Sequence, residues 1–293
     1  MNNSAVYSLL GPAEPAVPVV LDSPHSGHHF PADFGAQVGE YDLRESEDTY
    51  VDELYLPATT QGVALLTANF PRTFIDVNRH EGDIDLALLD GTWPHELRPS
   101  GKAEIGKALI WRTLSDGRDI YAARLRPEQV LQRIAQYHRP YHEALQRLLN
   151  ASMARHGQVF HINCHSMASS AGVMGVGQVG EPRADFVLGD RDGSSCGAAF
   201  TELVYSQLRA KGYDVAINKP YKGVELVRAY SNPAQRRHSL QIEVNKRLYM
   251  DETTRAKTAG FAQVQKDLME MIQVLIAFTG QGRQPRLKEL QHG

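Results

Sequence analysis

Two segments of this chain end in the same dipeptide, and both could set an imidazole at the end of a strand. Pro18-Val19-Val20-Leu21-Asp22-Ser23-Pro24 leads into His25-Ser26-Gly27, and Val159 to Cys164 leads into His165-Ser166-Met167. A short apolar run ending in small and polar residues is how a buried parallel strand delivers side chains to a site, at the carboxyl edge of an open α/β sheet. One histidine at such a place is ordinarily hydrogen-bonded or on the surface. A matched pair has no packing explanation, and a carboxylate pair, Glu47-Asp48, lies between the two segments. Two imidazoles and one carboxylate make a zinc set that leaves a fourth position for water, as a catalytic zinc requires. Either Glu47 or Asp48 could supply the oxygen. No His-Glu-x-x-His pair occurs, so only tertiary structure could assemble the set.

Other residues have the right chemistry but an ambiguous setting. Glu243 interrupts Leu240-Gln241-Ile242-Glu243-Val244-Asn245, where apolar and polar residues alternate with the period of a strand. Facing the core, it would have a raised pKa and suit general acid/base work. Facing water, it would be the polar half of the alternation, as Gln241 would then be. Arg72, Arg79, Lys222 and Arg228 lie in or beside loops near candidate strand ends. Guanidinium groups fork carboxylates, so such a set could bind an acidic substrate, although each alone reads as solvated surface charge. Gly193-Ser194-Ser195-Cys196-Gly197 has the spacing of a serine-hydrolase elbow, with Ser195 as nucleophile. An elbow needs the strand to run straight into the serine, and Asp190-Arg191-Asp192 intervenes, so Ser194 or Ser195 reads better as a helix cap. Cys164, inside an apolar run, reads as packing.

The elements that must position these residues alternate between strand and helix. Strands are expected at Val63 to Ala68, Phe74 to Val77, Phe186 to Gly189 and Val215 to Ile217, besides those ending at His25, His165 and Asn245. Helices are expected from Glu47-Asp48 to Ala58, with Pro57 ending or kinking it, and from Pro127 to Leu149, with a bend at Pro140. Two more run from Ala198 to Lys211, capped by Gly212, and from about Thr253 to Phe278. This pattern, without repeats or a low-complexity linker, predicts one α/β domain over 1–293, with an irregular active-site insertion at about 80–126 and a frayed basic tail over 280–293. The 293 residues, 42% hydrophobic, suffice for a large core. A net charge of −3 argues against a nucleic-acid or acidic-membrane partner and leaves a small acidic molecule as the expected ligand. Two cysteines exclude a disulfide framework and fit a reducing compartment. No membrane-length apolar run or signal-peptide pattern is present, so a cytoplasmic protein is expected. Nothing in the sequence indicates an oligomeric state.

Taken together, the segments resemble the N-formylglutamate amidohydrolase (deformylase) family. The resemblance rests on Ser23-Pro24-His25-Ser26-Gly27, Glu47-Asp48-Thr49, Phe74-Ile75-Asp76-Val77-Asn78-Arg79 and Tyr137-His138-Arg139-Pro140-Tyr141-His142. It continues through Asn163-Cys164-His165-Ser166-Met167, Asn218-Lys219-Pro220-Tyr221-Lys222-Gly223 and Gln241-Ile242-Glu243-Val244-Asn245. It implies a zinc carboxypeptidase-like fold: a mixed, largely parallel sheet of about eight strands flanked by helices. It also implies one Zn2+ per chain, or another divalent transition metal, held by His25, His165 and an acid that the family pattern puts at Asp48 rather than Glu47. Glu243 is implied as general base. Asn78 and Arg79 would hold a substrate carboxylate, with Lys222 and Arg228 as further substrate-binding residues, and Arg72 would face a carboxylate or an oxyanion. The implied reaction is hydrolysis of N-formyl-L-glutamate to formate and L-glutamate, a last step in histidine degradation. One departure stands out. The family usually has Asp before Cys-His-Ser-Met, and this chain has Asn163, which can accept a hydrogen bond but supplies no charge.

Overall fold

The structure, a computed structural model, describes residues 2–3, 6–173 and 177–281. The basic tail from 282 to 293 lies outside the described residues. In chain order the strands are β1 (Asn2–Asn3), β2 (Tyr7–Leu10), β3 (Val19–Ser23), β4 (Ala64–Ala68), β5 (Val159–Met167), β6 (Phe186–Gly189), β7 (Val215–Ile217) and β8 (Arg237–Asn245). The helices are α1 (Glu40–Leu43), α2 (Val51–Tyr55), α3 (Pro127–Arg133), α4 (Arg139–His156), α5 (Ala198–Ala210), α6 (Glu225–Tyr230) and α7 (Gly260–Gln281). The strands form one eight-stranded sheet in the order β1-β2-β4-β3-β5-β8-β6-β7. Its middle strands β4, β3, β5 and β8 are parallel, while β2 and β6 join them antiparallel. This is the mixed, largely parallel sheet that the family resemblance implies. No helix of the described residues is long and apolar enough to cross a membrane.

Helices cover both faces, so the middle strands are buried on both sides. On one face, α2, α5 and α7 pack against Val19, Leu21, Leu65, Ile162, Cys164, Leu240 and Ile242. On the other, α4 packs against β3, β4 and β5 over Val20, Ala64 and Leu66. That second face also carries a polar file. β5 and β8 pair in register as His161↔Ser239, Asn163↔Gln241 and His165↔Glu243, and the period of two puts all six side chains on one side. The file climbs the sheet and ends at its carboxyl edge with His165 beside Glu243.

Several expected boundaries shift for local reasons. Phe74-Ile75-Asp76-Val77 is not a strand but part of a turn-rich loop. The open edge of β4 is taken instead by β2, a strand that sequence patterning did not single out, so Phe74, Ile75 and Val77 bury their side chains from a loop. The closing helix starts at Gly260 and not near Thr253, because Asp251 Oδ1 accepts from the backbone of Thr253 (3.0 Å) and Thr254 (2.6 Å). Such local side-chain bonds give the backbone an alternative to helix. The helix after Glu47-Asp48 begins only at Val51 and ends at Tyr55; Pro57 sits in a 3-10 turn, Leu56–Gln61. Between α3 and α4 the chain stays helical through a π-helical turn, Ile134–His138, and this wider turn lies immediately before Pro140, which has no N–H to donate back along the helix. The 80–126 stretch is irregular, with one 3-10 turn at Leu86–Leu88.

The irregular loop 71–79 runs beside the carboxyl edge of the sheet, and α3 and α4 hold it there. Arg133, buried at 4% exposure, donates from Nη1 to Phe74 O (3.0 Å) and from Nη2 to Phe34 O (2.9 Å), with its guanidinium over the Phe74 ring at 4.0 Å. His138 Nε2 lies 2.9 Å from Arg79 O, and His142 Nε2 lies 2.8 Å from Val77 O. Burial, reinforced by the neighbouring His138, brings the His142 pKa down to about 3, so its ring stays neutral and donates through Nε2. The Tyr-His-Arg-Pro-Tyr-His segment thus fastens the loop that carries Asp76, Asn78 and Arg79.

Candidate metal centre and its base

His25 follows β3, Asp48 precedes α2 and His165 is the seventh residue of β5. One ligand atom from each lies within 4.8 Å of the others, and all three residues are buried. The two serines of the repeated dipeptide explain why the dipeptide repeats. Ser166 Oγ donates to Asp48 Oδ1 at 3.1 Å, and Ser26 Oγ to Asp48 O at 3.0 Å, so both arms fix the same acid. Glu47 is turned away, forked by Arg44 at 2.6 and 3.0 Å. Of the two acids it is Asp48 that stands in the cluster.

Hydrogen bonds on the far ring nitrogens settle which atoms face inward. His25 Nε2 lies 2.7 Å from Asp76 Oδ1, which leaves Nδ1 buried without a hydrogen-bond partner, 3.4 Å from Asp48 Oδ2. His165 Nε2 meets two amides, Asn163 Oδ1 at 2.7 Å and Asn78 Nδ2 at 3.1 Å. One ring nitrogen cannot donate to the first while accepting from the second. The shorter contact marks donation to Asn163, which leaves the Nδ1 lone pair directed at Asp48 Oδ2, 3.0 Å away. Burial lowers the His165 pKa despite the opposing pull of Asp48, which favours this neutral ring. Two lone pairs and a carboxylate facing one another, out of water, form a donor set suited to a cation.

The partners behind the imidazoles include one that sequence reasoning missed. Asp76 is fully buried, and burial would raise its pKa. The charge of Arg72 and the hydrogen bond from His25 Nε2 overcome that and keep it well below the carboxylate range. Its Oδ2 accepts from Arg72 Nη2 at 2.8 Å and its Oδ1 from Asn78 N at 2.9 Å. Asn163 does what an uncharged residue can. Its Nδ2 donates to Asp22 Oδ1 at 2.8 Å, which fixes the amide so that Oδ1 faces His165. Carboxylates behind ligand histidines typically contribute 10- to 100-fold in metal affinity. Asp76→Asn should therefore weaken zinc binding by about 10- to 100-fold, read by titration against a competing chelator. Unchanged affinity in a folded variant would remove Asp76 from the site.

Glu243 faces the interior at 8% exposure. Burial first, then repulsion by Asp48, raises its pKa well above the usual value, with Arg72 and Arg183 opposing. Gln241 Nε2 donates to Glu243 Oε1 at 2.9 Å, an i to i+2 contact along one face of β8 that the alternation could have suggested. Arg72 also lies in this centre, against Asp76, with its guanidinium 4.9 Å from the centre of the Trp111 ring. Asn78 spends both ends of its amide on the protein, Nδ2 towards His165 and Oδ1 accepting from Leu226 N at 2.9 Å. Arg79 is buried to 11% side-chain exposure, its Nε without a hydrogen-bond partner and 3.9 Å from Asp76 Oδ2. It lines a cavity of about 260 Å³ together with Arg98, Ser100 and Arg228.

Two of the expected basic residues stand apart. Lys222, 58% exposed, pairs with Asp192 at 2.8 Å on the surface and is not brought to the centre. Arg228, 49% exposed, reaches the outer cavity but is forked by Glu225 at 2.7 and 2.9 Å. Neither Ser194 nor Ser195 caps α5, whose N-cap is Gly197. Ser195 is 1% exposed, and its hydroxyl donates to Ser239 O at 2.8 Å, without a base beside it. A Ser-His-Asp chain does exist, Ser239 Oγ to His161 Nδ1 at 2.7 Å and His161 Nε2 to Asp22 at 2.8 Å, but all three residues are fully buried inside the sheet. Cys164 is buried, and burial pushes its thiol well above the usual range, as inert packing would have it.

Comparison with known proteins agrees with this geometry. The model of the N-formylglutamate amidohydrolase family matches residues 17–250. The N-formylglutamate deformylase of Pseudomonas aeruginosa is 27% identical over 270 residues, spanning 89% of this chain and 94% of that protein. Its namesake in Pseudomonas putida is 27% identical over 272 residues, spanning 89% and 93%. The crystal structure of N-formylglutamate amidohydrolase from Ralstonia eutropha JMP134 shares 45% identity, superposes with a TM-score of 0.90 and covers 96% of this chain and 100% of that one. Since the family match takes in β3, β5 and β8 together with every residue of the cluster, the chain belongs to the N-formylglutamate amidohydrolase family.

Proposed function

We propose that the protein hydrolyses N-formyl-L-glutamate to formate and L-glutamate, with one zinc ion held by His25, Asp48 and His165. The single observation that carries this reading is the buried, inward-facing donor set with Glu243 paired directly opposite His165. The names of the relatives support the substrate. Another divalent transition metal would also suit two imidazoles and a carboxylate. Such products fit the end of a histidine-degradation route.

Bound there, the metal supplies Lewis acidity, polarising the formyl oxygen and making water nucleophilic at neutral pH. The protein's own groups do the rest. Glu243 takes the attacking water's proton and returns it to the departing amine nitrogen, a role that suits a carboxyl whose pKa burial has raised. Asp76 and Asn163 hold the two imidazoles in the tautomer that presents Nδ1. Arg72 keeps Asp76 anionic and sets a positive charge beside both Asp48 and Glu243. Arg79, at the mouth of its cavity, receives the acidic side chain of the substrate.

The test is formate release from N-formyl-L-glutamate by metal-stripped enzyme, before and after adding one equivalent of zinc. Activity that returns with zinc is expected. Full activity in the stripped enzyme, together with serine-directed labelling, would favour a serine hydrolase instead. Substrate charge gives a second expectation. Arg79→Ala should raise KM for N-formylglutamate by about 10- to 100-fold, the worth of a hydrogen bond to a charged group, and far less for N-formylleucine. Equal losses for both substrates would remove Arg79 from side-chain recognition.

A further inference from the structure

N-formylglutamate carries two carboxylates, and two of the arginines around the centre already have an acid: Arg72 has Asp76 and Arg228 has Glu225. Arg79 keeps only a long approach to Asp76, at 3.9 Å. Near the centre one further guanidinium stands in no ion pair among the described residues. It belongs to Arg183, which no motif pointed to. Its backbone is fastened between the strands that carry His165 and Glu243. Arg183 N donates to Ser169 O at 2.9 Å, just past β5, and Asn245 Nδ2 at the end of β8 donates to Arg183 O at 3.3 Å and Ala184 O at 3.0 Å. β6 runs antiparallel to β8, with Val187 opposite Glu243, so the residues before β6 extend beyond the carboxyl end of β8. The half-buried guanidinium lies over the Tyr221 ring at 4.9 Å, Nη1 donates to Tyr221 Oη, and Nε is buried with no partner. Of the acids, Glu243 does most to favour its charged form.

We propose that Arg183, seated on Tyr221, holds the α-carboxylate of the substrate, leaving Arg79 and its cavity to the side-chain carboxylate. This assignment rests on the N-formylglutamate reading. The α-carboxylate hangs on the carbon bonded to the scissile nitrogen, so it must lie close to the base that serves that nitrogen. Arg183 is fastened to Asn245, two residues past Glu243 on β8. The side-chain carboxylate stands farther out, where the 260 Å³ cavity behind Arg79 has room for it.

The test compares zinc-loaded parent, Arg183→Gln and Arg183→Lys on N-formyl-L-glutamate, N-formyl-L-glutamine and N-formyl-L-isoglutamine, the α-amide. The α-amide is followed as a substrate or, where turnover is slow, as a competitive inhibitor. Arg183→Gln should raise KM about 10- to 100-fold, by the same factor for the two substrates with a free α-carboxylate. It should leave the α-amide within a few-fold and kcat nearly intact, and Lys should recover part of the loss. A loss confined to N-formylglutamate would transfer Arg183 to the side-chain carboxylate. An equal loss for all three, or none, would leave it a structural residue. Those outcomes overturn this assignment alone, whereas a parent that releases no formate from N-formylglutamate overturns it together with the reading beneath it.

Discussion

Glu243→Gln is expected to keep its zinc, bind substrate about normally and lose roughly two to four orders of magnitude in turnover, the usual worth of a positioned general base. Gln preserves the size and most of the hydrogen bonding but cannot accept a proton. The exchange should disturb the fold little, because the contact from Gln241 Nε2 to Glu243 Oε1 needs only an amide oxygen in its place. The pH profile adds a readout that misfolding would not mimic. A base works when deprotonated, so kcat/KM falls as pH drops through its pKa. Burial and Asp48 both raise that pKa, which puts the acidic limb above the ordinary carboxylate range. In the variant the limb should vanish. Metal must be assayed on the same preparation, since lost zinc would imitate lost catalysis. A zinc-replete variant turning over within a few-fold of the parent would show that the proton goes elsewhere.

The other large effect is expected at the ligands. His25→Ala and His165→Ala should each give folded protein with less than one zinc per chain and negligible formate release. Each removal leaves two donors where a catalytic zinc needs three from the protein. The backbone should survive. Asp76 keeps its bonds from Arg72 and Asn78 N, and Asp48 keeps Ser166, so neither buried carboxylate is left without a donor. Circular dichroism separates unfolding from loss of metal, and elemental analysis decides the question. Full zinc occupancy in both variants would end the assignment.

Sequence patterning reached far here, because the candidate groups lie on strands or just past their ends, and strands have a simple period. The alternation around Glu243 and the repeated His-Ser ends single out His25, His165 and Glu243 without any knowledge of the fold. The regular α/β order implied the sheet that carries them. What alternation could not decide was the face. Whether Glu243 met water or the interior depended on how elements distant in sequence cover that face of β8, a matter of packing between residues far apart in sequence. The choice between Glu47 and Asp48 was likewise closed by Arg44, Ser166 and the two imidazoles, and local pattern contains none of those distances.

The loop 71–79 shows the limit from the other side. Phe74-Ile75-Asp76-Val77 has strand composition, yet β2 takes the free edge of β4, and a segment denied a partner cannot form a ladder. Asp76, which reads as an ordinary polar residue in an apolar run, thereby becomes the partner of His25. Lys222 and Arg183 exchange expectations for the same kind of reason. Lys222 sits in a conspicuous motif but points to Asp192 on the surface, whereas Arg183 sits in none and is fastened to the ends of β5 and β8. Residue type and period determined which groups could do chemistry. Only the meeting of distant strand ends decided which of them stand together, because charge and hydrogen bonding act over a few ångströms of space and take no account of separation along the chain.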